Sequence, residues 1–306
     1  MAVPVYGSGA RPHVWQPADL DELQMAKQRC GDNFIFVAGG TLLRTQWEGG
    51  IAPFPRHLIS LERIAEASGI FVEEDRLVLG ALNTLNECAA NPLLQRFPLV
   101  QDAARAIAAP SIRNLATIGG NVVSGVGDAI PALLVYDAGL QWMTDAGIQV
   151  QSLSSWLAEM KTGKHDPHRM LLAVQLPLSS ANGIGTACQE QPLTLKQVSF
   201  FRKLGRRETF TASLVTITYH GLIGSDGRWI EVRIAAGGGS GLAMRLNETE
   251  ALLGGKVADI QQSTALSQAA ASEFLTYGDA FATDLYRSQA AGNLLGGGLW
   301  EALGRS

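Results

Sequence analysis

The chain has 306 residues, 46% of them hydrophobic and 17% charged, which is enough for a sizeable core and two or three domains. A net charge of −4 leaves no basic footprint for nucleic acid, and no apolar run approaches the length of a membrane span. Three widely spaced cysteines, Cys30, Cys88 and Cys188, exclude a disulfide framework and a Cys-x-x-Cys ligand pair.

Taken in order, Asp19 is placed to cap a helix running to about Arg29. Asn33 to Val37 reads as a short buried strand, Thr41 to Glu48 as a turn or helix, and His57 to Leu61 as a second strand. Ile70–Glu73 and Arg76–Gly80 read as a hairpin around Glu74-Asp75. Asn83 and Thr84 precede a helix over Leu85 to Ala90, and a further helix runs from Pro98 to about Ala108 until Pro110 stops it. Ile130 to Tyr136 is a helix or buried run. Leu140–Thr144 and Ile148–Ser152 form a hairpin, and Met170 to Leu176 is a strand ended by Pro177.

Residues 179–194 are polar and small and mark a boundary or a surface loop. Beyond it, Ser199–Leu204, Ala212–His220 and Arg228–Ala236 predict three antiparallel strands, followed by helices over Asn247–Leu253, 262–276 and 282–303. The division predicted is 1–60, 61–180 and 195–306, an α+β chain.

Two glycine pairs carry the chemistry. Ala38-Gly39-Gly40-Thr41 follows the strand ending at Val37, and Thr117-Ile118-Gly119-Gly120-Asn121 lies about 80 residues on. Glycine allows positive φ and close approach of a ligand to the backbone, and successive N–H groups in such a turn form a nest for phosphate. Either pair alone reads as a tight turn between strands. Together they are suited to hold a diphosphate from two sides. The pair His165-x-x-His168 holds Pro167 and reads as an exposed loop rather than a metal site.

In their order, the loop 38–41, the stretch SIRNLATIGGN at 111–121, Asp128 with Pro131-Ala132-Leu133-Leu134, Phe201 to Arg207, Arg233-Ile234-Ala235 and Glu250 to Lys256 resemble the FAD-binding medium subunit of the molybdenum hydroxylases (the xanthine dehydrogenase, carbon monoxide dehydrogenase and aldehyde oxidoreductase group). The resemblance implies a vanillyl-alcohol-oxidase-type fold: two α+β subdomains around FAD, then a three-stranded sheet with helices. It implies that Val37, Ala38, Gly39, Gly40, Thr41 and Leu42 hold the diphosphate, with Thr117, Ile118, Gly120 and Asn121 opposite. Asp128 would contact the sugar or adenine end, Leu172 would pack on the isoalloxazine, and Lys203, or the adjacent Arg202, would place a positive charge near the ring. Leu42 stands where relatives often carry an acid or serine.

On this resemblance the chain passes electrons from two [2Fe–2S] clusters of a small subunit to NAD⁺, oxygen or a quinone. A molybdenum-cofactor large subunit oxidises the substrate, so no catalytic acid, base or metal ligand is expected here. The assembly expected is a cytoplasmic dimer of heterotrimers. Two rivals are a self-sufficient flavin oxidase or reductase of the same fold and a scaffold subunit that has lost FAD.

Overall fold

The computed structural model describes residues 12–179, 195–206, 213–239 and 241–304. The first unit is a parallel three-stranded sheet of β1 (His13–Trp15), β2 (Phe34–Val37) and β3 (His57–Ser60) in the order β1-β3-β2. Helix α1 (Leu20–Cys30) starts where Asp19 accepts the Glu22 N–H and ends at Gly31, whose φ is 58°. It buries Leu23, Ala26 and Cys30 against Phe34, Ile59, Leu61 and Ile64. Helix α2 (Thr41–Glu48) leaves directly from the end of β2 and buries no side chain fully.

The second unit is an antiparallel sheet of β4 (Ile70–Glu73), β5 (Arg76–Gly80), β6 (Gly139–Thr144), β7 (Gly147–Ser152) and β8 (Met170–Pro177), ordered β4-β5-β8-β6-β7. Its helices are α3 (Leu85–Ala90), α4 (Pro98–Ala106), α5 (Pro110–Arg113), α6 (Ile118–Val123), α7 (Ile130–Leu134) and α8 (Leu153–Thr162). Thr84 and Glu87 close α3 with a reciprocal capping box. Pro110 does not stop α4, which already ends at Ala106. It opens α5, where its missing N–H costs nothing. Two expectations change here: α8 is a helix that the pattern did not signal, and 118–123 is helical rather than a loop.

The C-terminal unit carries β9 (Lys196–Gly205), β10 (Ser213–Ile223), β11 (Trp229–Gly237) and β12 (Met244–Arg245), ordered β12-β11-β10-β9. The expected three strands thus gain a two-residue fourth. Helices α9 (Asn247–Ala251), α10 (Gln262–Glu273) and α11 (Asp284–Gly304) follow. Alternation along the strands gives the sheet two different faces. Val198, Phe200, Val215, Ile217, Tyr219 and Ile234 pack with Leu266, Ala270, Leu295 and Leu299 of α10 and α11. The opposite face presents Phe201 and Ala235 to the core that also holds Val100, Ala132 and Leu133 of α4 and α7. The same face carries Lys203, Thr216, Thr218, His220 and Arg233 into this seam. Apart from position 179, the boundary predicted at 179–194 lies outside the described residues, as does Cys188. Cys30 and Cys88 are buried free thiols, and burial pushes the Cys88 thiol up to about 12.

Candidate functional site

The two glycine segments meet. A Cβ placed on Gly39 would overlap the Leu115 carbonyl oxygen and lie 2.5 Å from the Leu115 carbonyl carbon and 3.1 Å from Ala116 Cα. Only glycine lets loop 38–41 seat on the strand of chain entering Thr117. Gly40 adopts φ 66° and caps α2, a left-handed conformation that strains other residues.

The two segments offer different groups. Among the described residues, no hydrogen-bond acceptor takes the N–H of Ala38, Gly39 or Gly40. The N–H groups of Thr41 and Leu42 follow in the first turn of α2, where a helix has no acceptors of its own. Five successive amides therefore open at a helix N-terminus, the arrangement that suits an anion. At the second segment the amides are already used. Ile118 N–H donates to Asn83 O at 2.9 Å, Gly119 N–H to Ala81 O at 2.8 Å, and Gly120 N–H to the Thr117 hydroxyl at 3.0 Å. Gly120 sits in α6 without positive φ, so the expectation of a second nest gives way to a capped helix start. Gly119 is needed for a different reason, because a Cβ there would sit 2.6 Å from Ala81 Cβ. At the surface α6 exposes Gly120, with Asn121 half-buried beside it and Thr117 buried at the cap.

Ile118 is fully buried and anchors α6 in the core. Beside it, Asn83 Oδ1 is buried with no hydrogen-bond partner, an acceptor next to the cradle that no sequence pattern signals. Thr84 and Thr117 form an antiparallel bridge that fixes this corner.

The remaining predicted residues stand behind the cradle. Asp128 is buried, accepts a hydrogen bond from the Ser213 hydroxyl, and pairs with Lys203 Nζ at 2.8 Å. Lys203 also donates to Ala106 O at 3.1 Å. Its charge is therefore spent on Asp128 within the seam between the second and third units. Leu172 is buried in the core of the first unit, and its carbonyl accepts the Ala81 N–H at 2.8 Å. Ala81 is thus clamped between β8 and α6, and Leu172 supports the cradle from beneath.

Residues 9–179 match the model of the FAD binding domain in molybdopterin dehydrogenase. The chain belongs to that family. Residues 199–302 match the CO dehydrogenase flavoprotein C-terminal domain. Over 121 residues the chain is 36% identical to the carbon monoxide dehydrogenase medium chain of Hydrogenophaga pseudoflava, covering 39% of this chain and 42% of that one. It is 25% identical over 217 residues to the xanthine dehydrogenase FAD-binding subunit of Escherichia coli O157:H7, covering 70% of each. Among solved structures, carbon monoxide dehydrogenase from Hydrogenophaga pseudoflava superposes with a TM-score of 0.84 at 23% identity, over 97% of this chain and 98% of that one. Quinoline 2-oxidoreductase from Pseudomonas putida 86 gives 0.79 at 19%, over 97% and 98%. These likenesses establish the fold, and family membership makes this an FAD-binding oxidoreductase flavoprotein.

The residues present fit the cofactor. The five amides of the first loop suit a diphosphate, and the absence of a Cβ at Gly39 lets the two segments come together. Among the described residues, no helix is long and apolar enough to cross a membrane.

Proposed function

We propose that this chain is the FAD-carrying electron-transfer subunit of a three-subunit molybdenum hydroxylase. Its partners would be a large subunit with the molybdenum cofactor and a small subunit with two [2Fe–2S] clusters, arranged as a dimer of heterotrimers. The observation that carries the reading is the contact of Gly39 with Leu115–Ala116, which joins a loop of free amides to a segment bearing Thr117 and Asn121.

FAD would supply the exchange between one-electron donors and a two-electron acceptor such as NAD⁺, oxygen or a quinone. The chain's own residues bind and orient it. The amides of Ala38 to Leu42 would hold the diphosphate, aided by the positive end of α2. The Thr117 hydroxyl and the Asn121 amide nitrogen would donate from the opposite side, and the bare surface of Gly120 would allow close approach. Asp128, Lys203 and Leu172 would act by holding these groups in place. No acid or base of this chain is asked to move a substrate proton.

The test is affinity purification through this chain, expressed alone and expressed in its native cells. The reading expects FAD together with molybdenum and iron–sulfur subunits. Turnover of an organic substrate by the chain alone would favour a self-sufficient flavoenzyme, and a chain that binds no FAD in either state would favour a scaffold.

A further inference from the structure

Asn121 is not held by its own helix alone. The Ala129 N–H donates to Asn121 Oδ1 at 3.1 Å, and Gly127 lies so close that a Cβ there would be 2.5 Å from Asn121 Cγ. The segment 127–129 is therefore wedged against Asn121. The next residue in that wedge, Asp128, is gripped from the third unit by the Ser213 hydroxyl at the start of β10 and by Lys203 of β9. Gly238 closes this corner, because a Cβ on it would lie 2.5 Å from Ser213 Oγ. The chain of contact thus runs from Ser213 and Lys203 through Asp128, Gly127 and Ala129 to Asn121 on the cradle.

We infer that Ser213 is a positioning residue for cofactor binding, fixing the Asn121 amide through the Asp128 carboxylate. The inference rests on the FAD reading above. The Oδ1 of Asn121 is committed to Ala129, which leaves the amide nitrogen as the donor, and its direction depends on where 127–129 sits. A carboxylate with two charge-assisted partners holds that segment firmly, and with one it is free to pivot about Lys203. Ser213 touches no cofactor in this account. The same hydroxyl also ties the C-terminal unit to the cradle, so docking of the third unit and cofactor affinity become linked.

The experiment compares FAD titrations of the full-length apoprotein, followed by flavin fluorescence and by visible circular dichroism, for wild type, Ser213→Ala and Arg233→Met. Arg233 joins the same two units at the far end of the seam, through Asp137 Oδ2 at 2.6 Å and Val135 O at 3.2 Å, without touching 127–129. Ser213→Ala is expected to raise the FAD dissociation constant about tenfold, the scale of one lost charge-assisted hydrogen bond, and to alter the visible dichroism of the bound flavin. Arg233→Met is expected to lower the melting temperature at least as much while leaving affinity and dichroism unchanged. Unchanged affinity in Ser213→Ala overturns the inference, and so does an equal loss in Arg233→Met, which would make the effect one of general docking. If wild type itself takes up no FAD, it is the cofactor reading that fails.

Discussion

Gly39→Ala is the sharpest single perturbation of the cradle. The added methyl would lie 2.5 Å from the Leu115 carbonyl carbon, and it would overlap the carbonyl oxygen. Both neighbours are backbone, so no side chain can swing aside. Ordinary carbon–carbon contact needs roughly 3.5 Å, so loop 38–41 must move away from 115–116 by roughly 1 Å. Relieving such overpacking costs about 1–3 kcal/mol of stability. A shift of that size also takes the free amides out of register with Thr117 and Asn121. Losing one or two hydrogen bonds to a charged diphosphate, about 1.5–3 kcal/mol each, raises the dissociation constant from about tenfold to roughly ten-thousandfold. Gly40→Ala is the control. Its Cβ has open space, with Val37 Cγ1 at 3.5 Å, and only the strain of φ 66° to meet. That is about 1–2 kcal/mol with no movement of one loop against the other. Fluorescence titration of FAD into each purified apoprotein decides the matter. The reasoning is refuted if Gly39→Ala binds FAD as wild type does while Gly40→Ala loses it.

Three other outcomes follow from the same structure. His220 is buried between Tyr136, Arg233 and Arg245 with neither ring nitrogen hydrogen-bonded, and burial followed by the two arginines pulls its pKa down to about 4. The unfolded chain binds that proton from pH 6.5 downward while the native one does not, so stability should fall by about 3 kcal/mol between pH 6.5 and 4. His220→Leu should flatten that part of a pH series of urea denaturation midpoints, and an unchanged slope would rule out this histidine as its source. Arg287 is 1% exposed and donates to Leu214 O and Asp279 Oδ2, both at 2.6 Å. Arg287→Met should cost about 3 kcal/mol in chemical denaturation, read also as a lower melting temperature. Thr117→Ala removes the cap of α6 and should cost about 1 kcal/mol of stability together with some FAD affinity. A loss of stability alone would take the hydroxyl out of the site.

Much of the framework was legible because local chemistry and tertiary structure agree. Ile70–Glu73 and Arg76–Gly80 pair as expected around Glu74, whose φ of 51° the turn demands. Asp19 and Thr84 cap the helices they precede. The place of the first glycine pair, after a strand and before a turn or helix, was legible because both neighbours carry their own local pattern. The second was misread because Ile118-Gly119-Gly120-Asn121 has poor helix propensity. Distant acceptors, Ala81 O and Asn83 O, make it helical, and no local pattern reports them. The pairing of Asp128 with Lys203 joins residues on different units, so no local pattern reports it. Strand β12 is too short for any alternation to show, and helix α8 follows β7 without a break in the chain pattern.

The central claim is that the joined glycine segments hold FAD. The most direct measurement is release and identification of the flavin from purified full-length protein after reconstitution with an equimolar mixture of FAD and FMN. The account predicts one FAD per chain and no FMN, because the cradle's free amides at Ala38 to Leu42 recognise a diphosphate. Equal uptake of FMN, or a protein that remains colourless, would contradict it.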